Sequence, residues 1–146
     1  MKVEVERRAL QAAIVLGCAV PLLAGGAGMV LGAEMVGRTV NPSADLDSHF
    51  RYLSGLLFGA GIGFLSCLPR IEARGDRMRL LGLLPFIGGL ARAWSLVEDG
   101  SPSFGHQFAL VMELLVVPAL ILWQWRFARR WQRTRQPGTS YPPRTL

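Results

Sequence analysis

A chain of 146 residues has room for one domain. It is 51% hydrophobic and only 18% charged, against roughly 25% charged in soluble domains, so its apolar stretches have too little polar surface to cover them. A net charge of +6 raises the question of nucleic acid, but the basic residues are segregated in a way that excludes that reading.

Four apolar runs predict an all-α integral membrane protein, a four-transmembrane-helix up-down bundle. The predicted helices cover about 9–31, 44–68, 80–97 and 104–131 of a single domain 1–135, followed by a disordered cytoplasmic tail 136–146. Each run approaches the ~20 residues that an α-helix needs to cross ~30 Å of hydrocarbon. Thirteen of the 16 basic residues lie on one side of such a bundle. They are Lys2, Arg7 and Arg8 before the first run, Arg70, Arg74, Arg77 and Arg79 between the second and third, and Arg126, Arg129, Arg130, Arg133, Arg135 and Arg144 after the fourth. The opposite side collects Glu34, Asp45, Asp47, Glu98 and Asp99. Basic residues in alternate connections predict that both termini are cytoplasmic. The first run, Ala9 to Leu31, is longer than the hydrophobic part of a signal peptide and reads as a retained span.

The first helix is rich in glycine, at Gly17, Gly25, Gly26, Gly28 and Gly32, and contains Pro21. Asn41-Pro42-Ser43 reads as a helix start with Ser43 as N-cap. Asp45 and Asp47 then suit the positive end of the helix dipole. The second helix carries Gly55, Gly59 and Gly63 at steps of four, a ridge that lets helices approach closely or offers a face to a second copy or a membrane partner. Arg51 lies one turn before Gly55 and is expected either at the same packed interface or snorkelling to the headgroups. Pro69 ends the second helix. The third helix holds Pro85 and Gly88-Gly89, and Pro118 lies late in the fourth. Trp123, Trp125 and Trp131 read as an aromatic belt at the inner interface. Beside them Arg126, Arg129, Arg130 and Arg133 are expected to contact anionic headgroups, not nucleic acid.

Two charges interrupt the apolar runs: Arg92 in the third and Glu113 in the fourth. A charge at bilayer depth is costly and marks a site with a partner nearby. The short third connection, Glu98 to Ser103, makes these helices antiparallel neighbours. In an ideal hairpin Arg92 then lies about one turn, ~5 Å, from the levels of Glu113 and His106. Gly88, Arg92 and Ser95 share one helical face, and His106, Ala109, Leu110 and Glu113 share another. The expected intramembrane polar cluster is therefore Arg51, Arg92, Ser95, His106 and Glu113, with Gly88 leaving space opposite the carboxylate. Two readings stand: a salt bridge that fixes packing, or a polar pocket open to the outer face.

No CxxC, HExxH, Walker-type glycine loop or GxSxG occurs, so no catalytic residue, enzyme activity, metal or cofactor is expected. Asp45, Asp47 and His49 alternate, but on a helix only Asp45 and His49 share a face, too few ligands for a metal. Cys18 and Cys67 fall inside the runs and read as small apolar residues. The resulting expectation is a non-catalytic membrane subunit or scaffold. A small-solute or proton-coupled transporter using Glu113 and Arg92 is the alternative. Small multidrug transporters place their membrane carboxylate in the first helix, which here has no charge between Arg8 and Glu34.

The segment Ser48-His49-Phe50-Arg51-Tyr52, the Gly55 and Gly59 steps, Pro69-Arg70-Ile71-Glu72, the run Phe86 to Arg92, and Glu113-Leu114 with Pro118 resemble bacterial membrane proteins grouped as domain of unknown function 4345. The resemblance covers roughly Ala9 to Arg129. It implies four membrane helices and a bacterial inner membrane, and it implies no activity. The architecture is also similar to the DoxX-type four-helix membrane proteins, some of which are linked to oxidoreductase complexes. That second likeness is one of fold.

Overall fold

A computed structural model describes residues 2–36, 42–100 and 102–135. Among them there is helix and no strand. Helix α1 runs Lys2–Leu31, α2 Ala44–Leu65, α3 Gly75–Asp99, α4 Phe104–Val111 and α5 Val117–Arg135. A 3₁₀ turn at Gly32–Val36 follows α1, and another at Leu68–Arg70 follows α2. The π-turn Met112–Val116 joins α4 to α5, so that Phe104–Thr134 is one continuous span. Four helical stretches are long and apolar enough to cross a membrane: Val3–Met35, Ala44–Arg70, Gly75–Asp99 and Phe104–Thr134. Arg38, Asn41, Arg144 and the tail 136–146 lie outside the described residues.

The helices outrun their apolar cores. The first begins at Lys2 instead of Ala9, and the third at Gly75 instead of Leu80. A helix need not stop where hydrocarbon does, because charged turns are solvated at either end. Asp76 sits in the first turn of α3, where its charge suits the dipole. At α2 the expected start is observed. Ser43 has extended backbone (φ −60°, ψ 154°), and its hydroxyl accepts from the Leu46 amide at 3.2 Å. The other end of α2 comes earlier than expected, at Leu65, with Ser66 as C-cap. Pro69 then falls inside the following 3₁₀ turn.

That 3₁₀ turn exposes carbonyls without helical donors, and side chains from two other helices satisfy them. Gln11 of α1 donates to the Leu68 carbonyl at 2.8 Å, and Arg7 to that of Pro69 at 3.1 Å. Gln124 of α5, almost wholly buried, donates to the Ile71 carbonyl at 2.7 Å. Around these bonds lies the buried core: Leu10, Ile14, Cys18, Cys67, Ile71, Met78 and Phe127. Most come from the end of the bundle where α1 and α3 begin and α2 and α5 finish, with Cys18 near the middle of α1. The tight packing is thus at the end that the charge pattern predicts to be inner.

Towards the other end the helices pair through glycine. Gly25 of α1 lies so close to α2 that a Cβ there would come within 2.8 Å of the Phe58 amide and the Ser54 carbonyl. Gly28 lies against Ser54, and Gly61 of α2 against Leu22. The interface therefore runs along α1's own glycines. The expected α2 ridge divides instead: Gly55 only approaches Met29, Gly59 has no neighbour within 4 Å, and Gly63 packs on Leu81 of α3. A ridge at steps of four drifts around the helix, so its members need not meet one partner.

Candidate functional site

Arg92 on α3 and Glu113 in the π-turn form an ion pair with two hydrogen bonds. Nε of Arg92 donates to Oε2 of Glu113 at 3.1 Å, and Nη2 donates to Oε1 at 3.3 Å. The Glu113 side chain is 15% exposed and that of Arg92 34%. Such a fork is the geometry in which guanidinium and carboxylate satisfy each other best.

Three local features place the pair. Gly100, with φ 87°, takes a conformation that L side chains rarely adopt, and it ends α3 so that the chain turns back at once. Gly82 and Gly89, seven residues apart on one face of α3, let the fourth span approach. A Cβ on Gly89 would lie 2.9 Å from Glu113 Cβ and 2.8 Å from a Leu114 methyl, and Gly82 abuts Ile121 and Val117. Finally, the helix widens at Glu113 itself. The Val117 amide bonds back five residues to the Met112 carbonyl. The next residue, Pro118, has no amide and offers nothing to the Glu113 or Leu114 carbonyl. A proline that empties the next rung gives the preceding turn a reason to slip from four-residue to five-residue spacing. Such π-turns recur at functional sites.

The other members of the expected cluster are elsewhere or bonded locally. Arg51 belongs to the joint between α1 and α2. Its Nε donates to Asp47 at 2.7 Å, and its Nη1 donates to the Met29 and Val30 carbonyls at 2.7 and 2.8 Å. Asp47 in turn accepts from the Ala33 amide at 2.8 Å. Arg51 thus caps the last carbonyls of α1, where a cation suits the negative end of the dipole. Gly32, with φ 66°, turns the chain beneath it. Ser95 donates to Asp99 at 3.0 Å, and His106 shares a 2.9 Å hydrogen bond with Ser103. Both pairs are exposed and lie towards the third connection. The cluster is therefore one ion pair between the third and fourth long helices, one helix-end clasp and two surface contacts. Gly88 does not face the carboxylate. It has no neighbour within 4 Å, and Gly89 holds the opposed position. One residue on a helix is a 100° turn, enough to exchange the two.

A shallow cleft opens between the end of α1 and the start of α2, lined by Val30, Leu31, Glu34, Pro42, Ala44, Asp47 and Arg51. It does not reach Arg92 or Glu113. At the opposite end of the bundle, Glu6 accepts from the Trp123 indole at 3.2 Å and pairs with Arg130 at 3.0 Å. Arg7 pairs with Glu72 at 3.4 Å and lies over the Trp131 ring. The Arg129 guanidinium stacks on Trp125, 3.8 Å from the ring centroid. Two of the four arginines expected at headgroups thus also hold protein partners. Arg126 and Arg133, seven residues apart, share a solvent-facing side of α5. This second network was not anticipated, although Gln124 inside an apolar run was a visible signal for it. Among the described residues, no three of His, Cys, Asp or Glu come together as a metal site would need.

Residues 9–124 match the family model described as Domain of unknown function (DUF4345), and the chain belongs to that family. No curated protein and no solved structure matches the chain.

Proposed function

We propose that the protein is a multi-pass bacterial inner-membrane protein with both termini cytoplasmic, acting as a non-catalytic membrane subunit or scaffold. The observation that carries this reading is the Arg92–Glu113 fork. Two costly intramembrane charges are spent on each other across the third connection, with bonds of 3.1 and 3.3 Å. That arrangement fastens the second hairpin into a rigid unit while its outer apolar surface, including Leu84, Ile87, Trp94 and Phe108, stays open to lipid or to a neighbour. The reading includes an outward-facing polar pocket beside Arg92, supported by the one-third exposure of that side chain. On the cytoplasmic side Arg126, Arg129, Arg130 and Arg133 meet anionic headgroups, each worth ~1 kcal/mol near such a surface.

Native mass spectrometry from lipid nanodiscs tests the role. A defined oligomer, or a constant second protein co-purified from the native membrane, is expected. A strictly monomeric species with no partner contradicts it.

The π-turn favours a second reading, proton-coupled transport of a small solute. A five-residue turn beside a proline is a helix segment that can reseat, and it carries the membrane carboxylate. This reading requires that Glu113→Gln abolish proton-linked flux in proteoliposomes while the protein remains folded. Flux that survives the substitution eliminates it.

A further inference from the structure

Charge does not balance at the end of the bundle where α1 and α3 begin and α2 and α5 finish. Among the described residues, every acid there is already matched. Glu4 and Glu72 pair with Arg7, Asp76 with Arg79, and Glu6 with Arg130. Arg129 lies on the Trp125 ring. The arginines left over are Arg8, Arg70, Arg74, Arg77, Arg126 and Arg133. All are exposed, and none has a hydrogen-bonded or ion-paired partner among the described residues. Residues 136–146 add Arg144 and no acid, so the chain has nothing of its own to set against them.

The leftover charge is densest at the joint between α2 and α3. The Ala73 amide donates to the Arg70 carbonyl at 2.9 Å, which closes a turn and brings Arg70 up to Arg74. Arg77 follows Arg74 three residues later, on the same side of α3. Arg74 and Arg77 both bear electrostatically on Cys67, buried at the start of the 3₁₀ turn, so the two guanidiniums converge on one place. Arg74 makes no side-chain cap on α3 and is uncommitted. The one acid inside the turn, Glu72, is drawn across to Arg7 of α1 at 3.4 Å. Just beyond the arginines, Leu80 and Leu84 are exposed on Arg77's side of α3. A cationic step is followed at once by an apolar one along the same helix.

We propose that the α2–α3 turn is a docking site for a membrane lipid whose headgroup carries two phosphates, with the phosphates on Arg70, Arg74 and Arg77 and the acyl chains along Leu80 and Leu84. Charge complementarity selects the headgroup. One phosphodiester would leave two of these guanidiniums unmatched, and a second takes up another. Guanidinium and phosphate oxygens also fit each other as paired forks. The apolar step selects the source, because an acyl chain gains from Leu80 and Leu84 and a soluble anion does not. The arginines of α5 form the weaker site. Arg129 and Arg130 are committed to Trp125 and Glu6, and the free pair Arg126 and Arg133 stand ~10 Å apart along the helix. The proposal rests on the reading that this end of the bundle meets anionic headgroups, and it names the headgroup and the residues that choose it.

The test uses the full chain in neutral detergent, with lipid binding read by native mass spectrometry. The probes are phosphatidylcholine, which has no net charge, phosphatidylglycerol, which has one phosphate, and cardiolipin, which has two. Cardiolipin is expected to bind about fivefold more tightly than phosphatidylglycerol, the gain from one further arginine–phosphate contact. Arg74→Gln combined with Arg77→Gln should bring that ratio down to about one. Neither side chain has a partner to lose, so the helical content measured by circular dichroism should not change. Arg126→Gln combined with Arg133→Gln removes the same charge. It should weaken both anionic lipids alike and leave their ratio unchanged. A ratio that survives in the folded Arg74–Arg77 variant overturns the site, as does one that falls equally in the Arg126–Arg133 variant. Inorganic pyrophosphate at the concentration of the lipid should not displace cardiolipin, and displacement would overturn the lipid as occupant. Phosphatidylglycerol and cardiolipin bound equally, both above phosphatidylcholine, defeats this proposal alone. No preference for either over phosphatidylcholine defeats the headgroup reading and the proposal with it, so the two failures are distinguishable.

Discussion

Gly89 stands directly opposite Glu113: a methyl group on residue 89 would come within 2.9 Å of the Glu113 Cβ. Glycine at this position is what brings the third and fourth spans close enough for Arg92 to reach the carboxylate with two hydrogen bonds.

Gly89→Ala should therefore separate the two spans and strain the fork. The expected loss of thermal stability in detergent is about 1–3 kcal/mol, typical of overpacking. Gly88→Ala, one residue away and facing open space, should change stability by less than about 0.5 kcal/mol. Equal effects of the two would place the helix face wrongly.

The first hairpin permits a parallel comparison. Gly25→Ala sets a Cβ within 2.8 Å of two backbone atoms of α2, and backbone cannot swing aside as a side chain can. It should cost about 1–3 kcal/mol and loosen the α1–α2 contact. Gly59→Ala meets nothing within 4 Å and should be neutral. Urea or thermal unfolding of both proteins in one detergent measures the contrast. A harmless Gly25→Ala would mean that the α1 glycines do not form the interface.

Arg51 predicts a separate local effect. It joins Asp47 to the Met29 and Val30 carbonyls, so Arg51→Ala uncaps α1 and frees the turn at Gly32. Amide hydrogen exchange should rise around Met29–Ala33 while the α3–α4 hairpin stays as protected as before. A rise spreading to Arg92 and Glu113 would mean that the two polar groups are coupled after all.

The four long apolar helices were legible because runs of ~20 apolar residues are a strong signal. Ser43 was legible for a similar reason, since a hydroxyl before two acids has one obvious use at a helix start. The meeting of Arg92 with Glu113 followed from the shortness of the connection between Glu98 and Ser103. The finer details depend on rotation about a helix axis, where an error of one residue is 100°. That is why Gly88 stood in for Gly89. Arg51 was misplaced because its partners are carbonyls at the end of another helix, and backbone acceptors leave no trace in sequence. The π-turn at Glu113 was invisible too, although Pro118 supplies its cause.

Cytoplasmic termini are a further expectation of the basic-residue pattern. A fluorescent reporter that matures only in the cytoplasm, fused at the C-terminus, should be bright. A dark fusion together with an active periplasmic reporter at the same point would invert the bundle and move Arg92 to the inner half.

The most direct measurement is the stability of Arg92→Gln, Glu113→Gln and the double variant in one detergent. Each single substitution strands one charge. Arg92 is 34% exposed and can partly reach solvent, so the losses should fall near about 2–3 kcal/mol, below the ~3–5 kcal/mol of a fully buried pair. Arg92→Gln should be the costlier, because the carboxylate it strands is only 15% exposed. With both charges removed neither is stranded, and the double variant should be more stable than the sum of the singles predicts by about 1–3 kcal/mol. Additive losses would mean that the two side chains do not act on each other and would contradict the account.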